Sequence, residues 1–314
     1  MKKKNSFSWI RLDYFLVLAI LTLGPVIGLI FSKTDWLDEY KPKIKTFDFD
    51  PSSFISEHKI IFSSTRAEDL ETLIKKLDLN IKNIKSLKAI PNFELLSLPK
   101  DLKTIEPVNR RKELFFSSIF PLVLRSNMEI LKHRKTLCMA FENNDKEKIS
   151  EIANIFKVDI NLNDPNFKEI LLKKVDAIPF SLALAQAAIE SGWGTSRFAL
   201  EGNALYGQWV WNDDLGIKPK LSSDSKAVVR SFDNLYDSIK SYMSNLNNHK
   251  AYSGMRSKRH RSCSEQKLIH GYELAQWMGN YAETREEYVK ILRKIISSND
   301  LDKIDQEINK NFSK

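Results

Sequence analysis

The first strong pattern along the chain is an uncharged run, Tyr14–Phe31, interrupted only by Thr22, Gly24, Pro25 and Gly28. At about 18 residues it is long enough to cross a bilayer, which takes roughly 17 to 25. Lys2, Lys3, Lys4 and Arg11 precede it, and the positive-inside rule then holds the N-terminus in the cytoplasm and sends the remainder outward. The residues that follow, Phe31-Ser32-Lys33-Thr34-Asp35-Trp36, form no small-x-small cleavage site, which favours an uncleaved anchor over a removed signal peptide. Residues 1–31 are therefore expected to be a basic segment and one N-terminal transmembrane helix. A single-pass protein of the inner (cytoplasmic) membrane follows, with its bulk extracytoplasmic or periplasmic.

Beyond the anchor the apolar spacing changes twice. Residues 32–88 are polar and Lys-rich, with one strand-like run at Lys59-Ile60-Ile61-Phe62. Ala67, Leu70, Leu73, Ile74 and Leu77 recur at helical spacing behind Ser64 and Thr65. This stretch reads as a small membrane-proximal segment. From 89 to 299 the pattern is mostly helical. Arg110–Leu131 carries Leu114, Phe115, Ile119, Leu122, Val123, Met128 and Leu131, with Pro121 expected to kink or divide it. Asp145–Phe156 and Pro165–Val175 are amphipathic, the second with Asp164 as cap and Pro165 at its first position. Leu235–Asn247 starts after Asn234, and Thr284 with Glu287 forms a capping box before Tyr288, Ile291, Leu292 and Ile295. Gln208–Trp211 and Ala227–Arg230, separated by turn residues, read as strands of a hairpin-like lobe. Residues 300–314 are expected to be a polar tail.

Composition narrows the class. Of 314 residues only 10 are Gly and 10 Pro, with 42% hydrophobic and 28% charged, which excludes collagen-like and wholly disordered chains. The net charge is +9; on a chain facing outward it suits anionic lipid or acidic wall polymer, and nucleic acid is not expected. The run Arg256, Lys258, Arg259, His260, Arg261 reads most simply as a solvated basic face. The histidines are scattered without HExxH spacing, and no Gly-rich phosphate loop or Gly-x-Ser-x-Gly elbow occurs. Neither metal nor cofactor is indicated. Cys138 and Cys263 leave open one disulfide or two free thiols.

The chemistry concentrates in Ser181–Gly194. The Ala- and Leu-rich run through Ile189 is a helix that Gly192 terminates, so Glu190 stands at its C-terminal end. The negative end of the helix dipole disfavours a carboxylate there, and the preceding turn offers only Ala187 and Gln186. A carboxyl group among apolar neighbours at such a position resists ionisation, as a general acid for glycosidic cleavage must. Trp193, Trp209 and Trp211, with Phe198 and Tyr206, surround Arg197, Asn203 and Gln208. Aromatic faces beside amide and guanidinium donors suit a sugar ring, although each aromatic taken singly also suits a core.

The segments Ala185–Ala199 and Glu201–Trp209 resemble the signature of bacterial Bax-type glucosaminidase-like proteins, relatives of the peptidoglycan N-acetylglucosaminidases of glycoside hydrolase family 73. Leu98–Leu102, Arg111–Phe116, Pro121–Leu124, Ser241–Asn247, Ala251-Tyr252 with Arg256, and Tyr281–Arg285 with Tyr288-Val289 extend the resemblance over residues 89–296, roughly two thirds of the chain. The resemblance implies a mainly α fold, a lysozyme-like helical domain with a small β-lobe. It implies Glu190 as catalytic acid and Tyr281 as the tyrosine lining the cleft. Asp224 falls in the stretch where relatives carry a second, variable carboxylate, with Asp213 and Asp214 as rivals. Trp193, Arg197, Asn203, Tyr206, Gln208 and Trp209 are the candidate substrate-binding residues.

The expected activity is endo-acting cleavage of β-1,4 bonds after N-acetylglucosamine in peptidoglycan or a related N-acetylated glycan. A lytic transglycosylase and a non-catalytic wall-binding protein are the alternatives. Water attack with inversion, a covalent intermediate and participation of the N-acetyl group remain open, since the separation of the two carboxylates decides between the first two.

Overall fold

The computed structural model describes residues 55–86, 90–159, 161–162, 164–220, 227–265, 268–282 and 284–312. The expected anchor, Tyr14–Phe31, lies outside them. The described part is mainly helical with two small sheets.

Strand β1 (Ile55–Phe62), helix α1 (Ala67–Lys76) and strand β2 (Ile90–Leu95) form a crossover in which the two strands pair in parallel, Ile60 opposite Phe93. Parallel neighbours need such a crossover. Residues 55–86 were expected in a separate membrane-proximal segment, but they join the main body instead. The Ile81 amide donates to Ser117 Oγ at 3.2 Å, and Asn80 Nδ2 donates to Glu113 at 2.8 Å.

Ser117 and Glu113 belong to α2 (Val108–Glu142), the longest helix described. Pro121 sits inside α2, buried, without ending it. The helix continues past the missing N–H, and one turn earlier Ser118 Oγ donates to Leu114 O at 2.7 Å. By length and composition α2 passes the test for a membrane span, but it is largely buried as the core helix of this fold.

Helices α3 (Lys146–Ile155) and α4 (Phe167–Lys174) follow. Asp145, expected as the first residue of α3, is its cap instead, accepting from the Lys148 amide at 2.9 Å. Helix α4 starts two residues later than Pro165 suggests, because Asp164 Oδ1 closes a turn by accepting the Asn166 amide at 2.8 Å.

Helix α5 (Phe180–Glu190) is buried around almost its whole circumference, from Phe180 to Ala188. It packs on α2, α9 (Gly271–Leu274), α10 (Arg285–Ser298) and α11 (Leu301–Phe312). The last of these is the expected polar tail. It is an amphipathic helix whose Leu301, Ile304 and Ile308 are buried, and its Asp305, 1% exposed, accepts from the Ser181 amide at 3.1 Å, the Gly271 amide at 3.1 Å and the Ser181 hydroxyl. A carboxylate at this end of α5 meets the positive end of its dipole. The expected capping box of α10 is absent, since Thr284 precedes the helix without a side-chain bond to it.

Between α6 (Arg197–Gly202) and α7 (Leu235–Asn248) lies the β-lobe: β3 (Trp209–Val210), β4 (Gly216–Ile217) and β5 (Val228–Arg230), antiparallel in the order β3-β5-β4. Two of these strands match the expected pair. The third, β4, carries too few apolar residues to show a period of two.

The basic run Arg256–Arg261 falls on α8 (Ser253–Ser264) and is not a solvated face throughout. Arg256 and Arg259 are buried. Arg259 donates to Lys173 O at 2.8 Å, Ala177 O at 3.0 Å and Asn247 Oδ1 at 2.8 Å, while Arg256 donates to Leu246 O and His249 O. Cys138 and Cys263 are both free thiols, with Arg134 hydrogen-bonded to Cys263.

Burial raises the Asp305 carboxyl to about 6 against its three donors. Folded protein then holds this proton up to about pH 6, whereas the unfolded chain releases it near 3.8, so stability falls as pH rises through that window. Asp305→Asn, which has no proton to lose, is expected to lack this fall. In urea titrations wild type should lose up to about 3 kcal/mol relative to the variant between pH 4 and 7. A difference that stays flat with pH would contradict the assignment.

Candidate active site

Helix α5 ends in a tight reversal that sets the position of Glu190. Gly192, Trp193 and Gly194 have φ of 57°, 59° and 75°, three successive left-handed residues. The Trp193 amide donates back to Ala188 O at 2.8 Å, and Ser191 Oγ takes the Gly194 amide at 2.8 Å. A Cβ on Gly194 would stand 2.6 Å from Leu98 and 2.9 Å from Phe115, so only glycine lets this turn press against α2. The sequence Ser-Gly-Trp-Gly thus terminates α5 and docks its end.

Glu190 is the last residue of α5 and half-buried. Burial raises its carboxyl above the ordinary range, opposed by the nearby Tyr288 hydroxyl. On its other side the chain entering the β-lobe passes close by. Gly207, at φ 57°, would place a Cβ 3.4 Å from Glu190 Oε2. The left-handed backbone favours glycine here and lets the β-lobe run past the acid.

A group of tyrosines surrounds this carboxylate. Tyr281 and Tyr288 stack with ring centroids 6.0 Å apart and planes 7° apart, and Tyr252 tilts against Tyr281 at 6.2 Å. Tyr206 stacks on Tyr242 at 3.8 Å. Tyr281 donates to Tyr206 O at 2.8 Å, tying the α10 side of the cleft to the β-lobe entrance. Burial, followed by the nearby Glu190 charge, pushes Tyr281 and Tyr288 well above the usual phenol value. Beneath them Gln186, one turn before Glu190, donates to Tyr288 Oη at 3.0 Å and accepts from Tyr242 Oη at 2.8 Å.

Of the sequence-derived candidates, Glu190, Tyr281 and Tyr206 come together here, and Gln208 and Trp209 follow Gly207 into the β-lobe. The Gln208 side-chain oxygen is screened from solvent without a protein partner among the described residues. Trp209 is 57% exposed and Trp211 80%, so both rings are open on the β-lobe. Three others do internal work. Trp193 packs edge-on against Phe116 at 5.1 Å and Phe115 at 6.2 Å, with Lys112 Nζ 4.5 Å from its ring centre. Arg197 binds Lys218 O and pairs with Glu201 at 3.5 Å. Asn203, left-handed at φ 53°, ends α6 and donates to Phe232 O at 3.0 Å. Asp224 lies outside the described residues. Its rival Asp213 is exposed and pairs with Lys218 at 2.7 Å, and Asp214 follows it in the same turn.

Sequence reasoning passed over Gln186, Tyr242, Tyr252 and Tyr288 as site residues. Gln186 was the one available signal, an amide four residues before an acid on a helix otherwise apolar. A separate cavity of about 450 Å³, bordered by Lys82, Lys112, Phe116, Asn299 and Ile304, does not include Glu190.

The raised Glu190 carboxyl carries a stability cost. A folded proton affinity above the unfolded value makes that cost full above the window and absent below it. Glu190→Gln is therefore expected to unfold at a higher temperature than wild type at pH 7 and at the same temperature below about pH 4. Calorimetry at the two pH values checks this, and a variant no more stable at pH 7 would refute it.

Residues 166–301 match the family model for glucosaminidase, described as mannosyl-glycoprotein endo-beta-N-acetylglucosaminidase. Protein bax of Escherichia coli (strain K12) is 31% identical over 170 residues, covering 52% of this chain and 60% of that protein. The chain thus spans about 60% of that relative's length. No solved structure gives a significant match. The matched region runs from the start of α4 to the first residue of α11 and contains Glu190, the tyrosine cluster and the β-lobe. Residues 166–301 are thus similar to the glucosaminidase family, and the chain resembles Bax-type glucosaminidase-like proteins.

Proposed function

We propose that this domain is a glycosidase acting on N-acetylglucosamine-containing glycans. More specifically, it cleaves β-1,4 bonds after N-acetylglucosamine in peptidoglycan or a related glycan, with Glu190 as general acid. The observation that carries the reading is a carboxyl group at the end of α5 whose proton affinity burial raises, beside an open β-lobe and within the residues that match the glucosaminidase family model.

The chemistry follows from that proton. Glu190 gives it to the glycosidic oxygen, and the leaving sugar departs through an oxocarbenium-like state. The resulting carboxylate then has the Tyr288 hydroxyl beside it. Tyr281 borders the same space with its hydroxyl fixed on Tyr206 O, so it acts through its ring face and as a wall. Gln208 and Trp209 present an amide and an indole to a sugar unit. Asp224 is proposed as the second carboxylate, which activates water or stabilises positive charge at the anomeric carbon. Tyr14–Phe31 is proposed to anchor the domain on the extracytoplasmic side of the inner membrane, facing the wall polymer.

Glu190→Gln is expected to lower turnover of purified peptidoglycan at least about a thousandfold, since general acid and bound geometry act together. Full activity in that variant would overturn the reading. Trp209→Ala should raise KM several-fold with little change in kcat, as an open aromatic platform binds without reacting. Mass spectrometry of the fragments decides the reaction: reducing ends support hydrolysis, anhydro-sugar ends a lytic transglycosylase. Glycan binding without any product would leave a wall-binding protein.

A further inference from the structure

His270, Asp302 and Asp305 come together at the end of α5 away from Glu190. One potential ligand atom from each lies within 4.8 Å of the other two. His270 immediately precedes α9, and Asp302 and Asp305 are neighbours on one face of α11. Sequence spacing hides the group, because His270 reaches the two aspartates only once α9 and α11 have both packed on α5.

Two atoms of this group lack partners. His270 Nδ1 and Asp302 Oδ1 are both screened from solvent and make no hydrogen bond among the described residues. They stand 4.0 Å apart, too far for a hydrogen bond to each other. His270 does not serve α9 either, since its side chain makes no capping bond there. A buried polar atom without a partner is destabilising, so nearly all such atoms have one. With its proton on Nε2, His270 presents an Nδ1 lone pair beside a carboxylate oxygen, and one cation satisfies both.

Asp305 adds a third donor. It is 1% exposed, and among the described residues no cationic side chain pairs with it. Its Oδ2 takes the Ser181 hydroxyl and the Gly271 amide, while Oδ1 takes only the Ser181 amide. A carboxylate accepts at about four positions, so three donors leave one free. Buried carboxylates are normally paired with a cation or coordinate a metal.

We propose that His270, Asp302 and Asp305 bind one zinc ion, with water as the fourth ligand. One imidazole nitrogen with two carboxylate oxygens is a zinc donor set, whereas magnesium and calcium take oxygen alone. Zinc bonds of about 2.0 to 2.2 Å set tetrahedral ligand atoms roughly 3.4 Å apart, so His270 and Asp302 need to close by only about half an ångström. Their side chains are 24% and 32% exposed, which gives the ion an entry and the water a place. The ion fastens α9 to α11 over the start of α5. Glu190 is about 13 Å away by helical rise, so the role is structural and independent of the acid assignment. Without the ion, Asp305 keeps the capping role described above.

The test takes the full chain, strips it with a chelator and titrates it calorimetrically with zinc chloride, with magnesium and calcium chloride in parallel. One zinc per chain at micromolar or tighter Kd is expected. The unfolding temperature should rise by roughly 5 °C at about a hundredfold excess over Kd, and magnesium and calcium should do neither. His270→Ala and Asp302→Asn should each weaken zinc binding at least about tenfold while keeping native far-UV circular dichroism in chelator. The two substitutions stand on different segments, so one decides if the other unfolds. Cobalt in place of zinc should give a visible spectrum without a thiolate charge-transfer band. No zinc bound, equal binding by wild type and a folded variant, or a thiolate band that transfers the ion to Cys138 or Cys263 would each overturn the site. Glu190→Gln should bind zinc as wild type does, so failure of the acid assignment is read separately.

Discussion

A helix without a polar face has to be enclosed, and α5 imposes that condition on everything around it. Four helices, α2, α9, α10 and α11, meet its sides, which is why residues far apart in the chain converge on two points, its ends. At the N-terminal end Asp305 meets the positive pole of the dipole and three donors. At the C-terminal end Glu190 meets the negative pole and burial, with the Tyr288 hydroxyl nearby. The two carboxyls stand on one axis in opposite fields. Asp305 is a structural cap with a proton to lose near pH 6, and Glu190 is the group proposed to transfer one.

The positive charge of the chain is used inward as well as outward. Arg134 and Arg259, 5% and 1% exposed, reach the last carbonyls of α4: Arg134 donates to Leu172 O and Val175 O, and Arg259 to Lys173 O. Cations at a helix C-terminus complement its dipole and its unpaired carbonyls. Asp176 lies 3.5 Å from Arg259 and 3.7 Å from Arg134, so two buried guanidinium groups share one carboxylate and several carbonyls. A run that reads as a basic face is in part the mortar between α4, α7 and α8.

The site itself is assembled from separate pieces that no local rule connects. The acid comes from α5 and the tyrosine beside it from α10. The amide is one turn back on α5 and is oriented from α7. The wall tyrosines come from two short turns, and the glycine that lets the β-lobe pass comes from the connection after α6. Tyr281 and Tyr206, joined by one hydrogen bond, link the two sides of the cleft.

Much of this was legible in the order of residues. An Ala- and Leu-rich run ending in Glu-Ser-Gly-Trp-Gly determines a buried helix, its termination and an acid at the unfavourable pole, because propensity, dipole and glycine conformation act over a few neighbouring residues. Asp145 and Asn234 declare their helices for the same reason. Amphipathic spacing identified Tyr288 as inward-facing but not what it meets, since period reports a face and says nothing of the partner across it. The tertiary structure alone decided that 301–312 is a packed helix, that Arg259 is buried, that Trp193 turns toward α2, and that Gln186 links Tyr242 to Tyr288. Each depends on which side chains arrive from distant segments, and in a closed core a polar group is defined by the partner that satisfies it.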